Sequence, residues 1–300
     1  DDMKDGASFR YLDPIDGAAT TELLETWRKQ HPQCAVLALL PEAQSHQLAS
    51  LQQACRQVGL PLTGGVFPRL IRDGHFVGQG MLLFRMDREA PHGLLEPLDS
   101  SPIIAARNIA ASIEPHLSTH EGDTLFLMFD ATLPNIASIL DELYIEIGSE
   151  VRYLGVNAGS ESFQPTPCLF DSDRFAGNGV LWLLLPSEQK SVLLHDYVAP
   201  VSHSLATSAS GNRIVSIDFR PAFDFYRDRI LQQYHVELTR SNFYRYAVEY
   251  PFAVELATGQ LLVRMPVSVD DDGSIRCVGE VPENSLLVVA TVPDSKSEET

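Results

Sequence analysis

One part of this chain returns in altered form about ninety residues later. Residues 34–40 (CAVLALL) are an apolar run ended by Pro41, and Leu48, Leu51, Cys55 and Val58 then recur at helical spacing up to Gly59. Residues 123–130 (DTLFLMFD) are followed in the same way by Ile136, Ile139, Leu140, Leu143 and Ile147 up to Gly148. Cys34 and Asp123, Leu51 and Leu140, and Gly59 and Gly148 are each 89 positions apart. The separation grows to 91 between Gly64 and Gly155 as loops lengthen. It reaches 99 between HFVGQGMLL (from His75) and RFAGNGVLW (from Arg174). A register kept through a strand, a helix and its glycine cap is hard to obtain by chance. It predicts an internal duplication of α-β-α-β-β-β units, repeat one over residues 18–86 and repeat two over 103–190. Such units form mixed sheets flanked by helices, an α/β (α+β) class of fold. Two copies at this period exclude a solenoid.

Small residues crowd the first half of the segment from Gly155 to Leu183, and its second half reads as a hairpin. PCLF and GVLWLLL are the expected arms, with a turn near Asp171, Ser172 and Asp173. Residues 1–16 read as a polar leader and 87–102 as a proline-rich loop. Residues 191–212, rich in Ser, Ala and Thr, read as a linker. A smaller α+β region follows: a strand over 213–219, a helix opened by Pro221, alternating runs around the DDDG turn at Asp270–Gly273, and a strand over 285–292.

Charge and composition remove several functions. A net charge of −18 is the wrong sign for a nucleic-acid footprint or for docking on anionic lipid. No apolar run approaches the roughly 20 residues of a membrane helix, and the N-terminus lacks a signal-peptide pattern. Cys34, Cys55, Cys168 and Cys277 are far apart in apolar surroundings, which fits core thiols and a cytoplasmic location.

The motifs that could carry chemistry each have a plain structural reading beside the functional one. Gly64–Gly65 and Asn157–Ala158–Gly159–Ser160 are expected just after strands, at equivalent places in the two repeats. Bare backbone there could meet a small ligand, with Asn157 and Ser160 as donors, Arg69 pairing with a carboxylate and Phe163 beside them. The same residues could equally be two turns of a duplicated fold. No Lys-Ser/Thr follows the glycines, so this is not a P-loop. His195, at the end of an apolar run, could ligate haem iron with Phe163, Phe170, Phe175 and Trp182 around it, or be an ordinary half-buried histidine. His203 is the competing ligand. His116, His120 and Glu121 have zinc-like spacing but read as an exposed loop, and Asp270–Asp272 read as a hairpin turn rather than a calcium loop. There is no G-x-S-x-G elbow, and nothing in the sequence assembles Ser160, His195 and Asp130 into a triad.

At GVNAGSESFQPTPCLFD and again at NRIVSIDFRPAFDFYRD the chain resembles the FIST family. GLPLTGGVFPRLIRDG looks like the family's early Gly-Gly turn, and LVRMPVSVDDDGSIRCVGEVPENSLLVV like the start of FIST-C. The resemblance implies a FIST N-type region over residues 18–200 and a FIST C-type region over 212–293. FIST-C usually runs beyond the strand at 285–292, so that region is expected to be cut short. It also implies a non-enzymatic bacterial sensory protein that binds a small molecule such as an amino acid. The implied partner is a histidine kinase or a diguanylate-cyclase-type protein. One branch of the family implies haem b and nitric-oxide sensing, here through His195. The other expectation from the residues is a ligand-free adaptor with an acidic surface.

Overall fold

The structure is a computed structural model that describes residues 8–117, 123–185, 195–200, 202–256 and 259–292. It divides into two compact units, one of Asp1–Leu133 with Asp141–Lys190, the other of Pro134–Leu140 with Ser191–Thr300.

The first unit is built twice from one plan. The first copy runs β1 (Phe9–Leu12), α1 (Gly17–Gln30), β2 (Ala35–Pro41), α2 (Leu48–Val58), β3 (Leu62–Phe67), β4 (Leu70–Arg72), β5 (His75–Val77) and β6 (Met81–Met86). The second runs β7 (His92–Leu95), α3 (Pro102–Ile113), β8 (Asp123–Asp130), α4 (Ile136–Ile147, of which the residues up to Leu140 are counted with the other unit), β9 (Val151–Ala158), β10 (Leu169–Asp171), β11 (Phe175–Ala176) and β12 (Val180–Leu185). The strand orders are β1-β6-β2-β3 and β7-β12-β8-β9, the same arrangement twice. The register also repeats: Val36 pairs with Leu62 and Leu125 with Tyr153, so the spacing read from the sequence holds inside the sheets.

Local chemistry sets the boundaries. Asp16 caps α1 by accepting from the Ala19 N–H at 2.8 Å. Gly59 and Gly148 close α2 and α4 at φ 75° and 71°, conformations that cost an L side chain energy. The strands β2 and β12 are apolar on both faces because both faces are covered. Leu24 and Trp27 of α1 and Leu51 and Cys55 of α2 share a core with Val36, Ala38 and Leu40. On the opposite face of β3, Met128 of β8 lies where a side chain on Gly65 would project, 2.3 Å from its Cβ position, so the two sheets face each other there.

Three sequence expectations are corrected. Each copy begins with a short strand, β1 or β7, where a leader and a loop were expected; four residues flanked by Pro and Gly carry too little pattern to show. PCLF and GVLWLLL are not arms of one hairpin: β10 pairs with β11 and with β3, while β12 lies between β7 and β8 in the other sheet. An all-apolar run needs a central position, and β12 has one. Third, the Ser/Ala-rich stretch expected as linker contains a regular strand, β13 (Ser204–Ser210).

The second unit continues with β14 (Arg213–Ile217), β15 (Arg220–Pro221), α5 (Ala222–Tyr234), α6 (Phe243–Ala247), β16 (Phe252–Glu255), β17 (Leu261–Val269), β18 (Ile275–Val278) and β19 (Leu286–Val289). The order β13-β19-β16-β17-β18-β14 closes on itself through β13–β14 pairing, giving a six-stranded antiparallel ring with β15 alongside β14. Irregular register in β13–β14 and near Pro266 of β17 supplies the bending that closure needs. Its core holds Tyr226, Phe243 and Phe252, with rings 5.1–5.7 Å apart.

Candidate functional site

Parallel strands present their C-terminal ends together, and in open α/β sheets ligands favour that end. Here the ends of β2, β3, β8 and β9 converge. The Gly159 N–H donates to the Val66 carbonyl at 2.9 Å, and the Ala131 N–H to the Ala158 carbonyl at 2.8 Å. Ser160 Oγ donates to Glu42 Oε1 at 2.6 Å and lies 2.8 Å from Ser162 Oγ. The Glu161 N–H donates to Glu42 Oε2 at 3.1 Å, and its carboxylate lies 3.7 Å from the Arg69 guanidinium. Phe163, held at φ 53°, donates its N–H to the Ser160 carbonyl at 3.2 Å.

The predicted residues divide here. Arg69 and Asn157 are exposed, and Phe163 is half-buried. Gly64 and Gly65 lie inside β3, not in a turn after it, and are equivalent to Gly155 and Val156 rather than to Asn157–Ser160. A Cβ on Gly64 would stand 2.0 Å from the Ala38 carbonyl and 2.5 Å from Phe170. These glycines therefore admit a neighbouring ring and Met128, and both lie within the ladders that join β3 to β2 and to β10. Ala158, Gly159 and Ser160 are buried, with Ser160 already satisfied by Glu42. Sequence reasoning missed Glu42 and gave Asp130 no structural role. Asp130, 1% exposed, accepts from the Thr132 N–H and hydroxyl at 2.9 and 2.7 Å and from the Asn178 N–H at 2.6 Å. The signal available was an acidic residue at the C-terminal end of each apolar strand.

A larger hollow, about 630 Å³, opens elsewhere in this unit. The β4–β5 hairpin joins neither large sheet. With β1 and β6 it encloses a space lined by Phe9, Tyr11, Leu70, Arg72, Leu82 and Phe84. Phe9 faces Phe84 and Tyr11 faces Leu82 across the β1–β6 pair, so one face carries all four. Arg72 lies over the Tyr11 ring at 4.3 Å, and the Tyr11 hydroxyl donates to the Gln79 carbonyl at 2.7 Å. Ile71 and Phe9 are 66% and 54% exposed at its rim.

The haem expectation meets a poor fit. His195 is exposed, its Nε2 lies 3.3 Å from the Leu261 carbonyl, and Tyr197 is its ring neighbour at 6.1 Å. Phe170 and Trp182 are wholly buried in the first unit's core. An exposed histidine and rings already buried in another core do not supply the apolar enclosure that haem needs. His203 pairs with Glu255. His116 is exposed beside Trp182, while His120 and Glu121 lie outside the described residues. No cluster of three metal-ligating side chains occurs among the described residues. Asp270 and Asp272 bind Arg213 and form the turn between β17 and β18. No histidine is bonded to Ser160 among the described residues, so the triad is not assembled. Burial raises all four thiols, Cys55 and Cys277 to about 12.

A duplicated two-sheet α/β unit joined to a closed antiparallel ring is the class of architecture that these sites sit on. Family models match it as a FIST N domain over residues 21–220 and a FIST C domain over residues 222–298. The chain belongs to the FIST family, whose domains are small-ligand sensory domains of signalling proteins. No curated protein and no solved structure matches it. No helix among the described residues is long and apolar enough to cross a membrane.

Proposed function

We propose that this protein senses a small molecule with an apolar or aromatic body and one anionic group, held in the hollow under the β4–β5 hairpin. The observation that carries the reading is Arg72 stacked on Tyr11 at the wall of a space of about 630 Å³. That volume falls in the usual range for small-molecule sites. Tyr11, Leu82 and Phe84 offer apolar surface, and Arg72, whose Nε lies 3.4 Å from the Asp73 carboxylate, offers its remaining N–H groups to a ligand carboxylate. A ligand shifts an equilibrium only by binding one state better than another. The hairpin is the natural mover, because it is paired to neither large sheet. The receiving partner, on the family resemblance, is a histidine kinase or a diguanylate-cyclase-type protein.

A second seat is supported by the strand ends, where Glu42 and Arg69 offer opposite charges on either side of Glu161. That pairing suits a free amino acid. Titration calorimetry with aromatic carboxylates and with amino acids separates the two. We expect aromatic carboxylates to bind, and Arg72→Ala to weaken them about tenfold or more while Arg69→Ala does not. Loss on Arg69→Ala alone would move the site to the strand ends. Absence of binding by either class would reject both seats.

A further inference from the structure

The β4–β5 hairpin joins neither large sheet, so side chains at its two ends decide where it stands. One end is Arg69, just ahead of β4; the other is Gln79, two residues beyond β5. Of residues 69–79 only Leu70 is buried, so burial fixes the hairpin at the Arg69 end alone. Both ends lead to one element, a 3₁₀ helix over Glu42–Gln47 that follows β2. The Gln44 side-chain amide donates to the Gln79 side-chain oxygen. Glu42 holds the Arg69 end at one remove: it accepts from the Glu161 N–H at 3.1 Å, and the Glu161 carboxylate lies 3.7 Å from the Arg69 guanidinium. Gln79 has a second tie, since the Tyr11 hydroxyl donates to its carbonyl at 2.7 Å. Gly80 makes room for that hydroxyl. At φ 76°, a Cβ there would stand 2.7 Å from Tyr11 Oη and 2.6 Å from the Leu12 carbonyl. Tyr11 is also the ring beneath Arg72. Its face therefore belongs to the wall of the hollow and its hydroxyl to the end of the hairpin.

We infer that Gln44 is a positioning residue for the hollow: with the Tyr11 hydroxyl it latches the hairpin at Gln79 and so sets how far Arg72 stands from the apolar wall. This rests on the reading of the hollow as the ligand seat. Gln44 does not line that space and acts only through Gln79. Released at Gln79, the hairpin keeps the buried Leu70 and the Arg69 end, and it swings open from the other side. A ligand held between Arg72 and the wall favours the latched form, so latch and ligand strengthen each other by the same factor. The Gln44–Gln79 bond lies between side chains that are half-buried and exposed, and such a bond shifts a local equilibrium by a few-fold.

Hydrogen–deuterium exchange on the full chain, with no ligand added, reads the latch by itself. We expect amides of residues 70–77 to exchange about threefold faster in Gln44→Leu, and likewise in Tyr11→Phe, which keeps the ring, while β2 and β3 exchange as before. Gln44→Lys combined with Gln79→Glu should restore the slower exchange, because the pair rebuilds a bond of similar reach; a packing defect at residue 44 would not be rescued. Where Tyr11→Phe alters the tryptophan-fluorescence melt, Gln44→Leu carries the test. Unchanged exchange in both variants overturns the inference, as does a paired variant that stays fast. Calorimetry with phenylacetate then separates latch from seat. We expect Gln44→Leu to bind it about threefold more weakly than the native chain. Equal binding by both chains overturns the positioning role. A native chain that ignores phenylacetate, beside exchange that behaves as expected, rejects the seat and keeps the latch.

Discussion

The strands β3 and β9 are the same element of a repeated plan, yet one is sealed and the other open. In the first sheet, β10 and β11 lie along β3, and Phe170 occupies the space that Gly64 leaves. In the second sheet nothing of the kind lies along β9 among the described residues, because β4–β5 instead stands beside β1 and β6. The difference comes from the hairpins. Leu169 and Phe170 are fully buried and carry their strand into a sheet, whereas Ile71 and Phe76 are 66% and 73% exposed. Duplication thus supplies two equal scaffolds, and one displaced hairpin turns a closed edge into a surface and opens a hollow at the same time.

Substitutions at the matched glycines strike this contrast hardest. Gly64→Ala should destabilise the first unit by about 3 kcal/mol, since its Cβ meets both a carbonyl and the Phe170 ring. Gly155→Ala meets only β8, at the Leu127 carbonyl and side chain, and should cost less. Urea unfolding followed by tryptophan fluorescence reports both, because Trp27 and Trp182 lie in this unit. Equal losses would show that the covering hairpin contributes little to the difference.

A smaller effect separates the two acidic residues at the strand ends. Asp130→Ala removes a buried acceptor from the Thr132 and Asn178 N–H groups and should cost about 2 kcal/mol. Glu42→Ala removes a half-buried acceptor from Ser160 and Glu161, and about 1 kcal/mol is expected. The same unfolding assay ranks them, and the reverse order would assign the stronger seam to Glu42.

The smallest effect is one of pH, and it falls on the ring. The hydrogen bond from the Ser274 backbone N–H, and then Arg213, lower the Asp272 carboxyl to about 2. At Asp270 burial acts in the opposite direction, but Arg276 and Arg213 outweigh it and the carboxyl is lowered. A lowered folded-state value means this support is complete above the unfolded carboxylate value of about 4 and fades as pH falls toward 2. Near-UV circular dichroism of the tyrosines near α5 and α6 should show a lower urea midpoint at pH about 2.5 than at pH about 5. Arg213→Gln should flatten that dependence, and an unchanged slope would remove the turn from the account.

Much of the fold could be read in advance because strand, helix and cap follow local periodicity. The 89-residue offset survives in the sheets, where Val36 and Leu125 hold equivalent places, and the FIST motifs name the family that the comparison finds. What local pattern cannot express is which sheet a strand joins. LFD and VLWLLL look like neighbours along the chain, and they part because burial on both faces is a tertiary demand. The candidate site was harder still. A Gly-Gly pair is the same string whether it frees backbone for a ligand or admits Phe170 and Met128. The Arg72–Tyr11 wall joins residues 61 positions apart, with no shared motif to announce it.

The ring in the second unit has a consequence for truncation. Because β19 is flanked by β13 on one side and β16 on the other, losing that single strand bares two rims at once. A chain cut just ahead of Ser285 would turn the half of the molecule best guarded against self-association into its stickiest part.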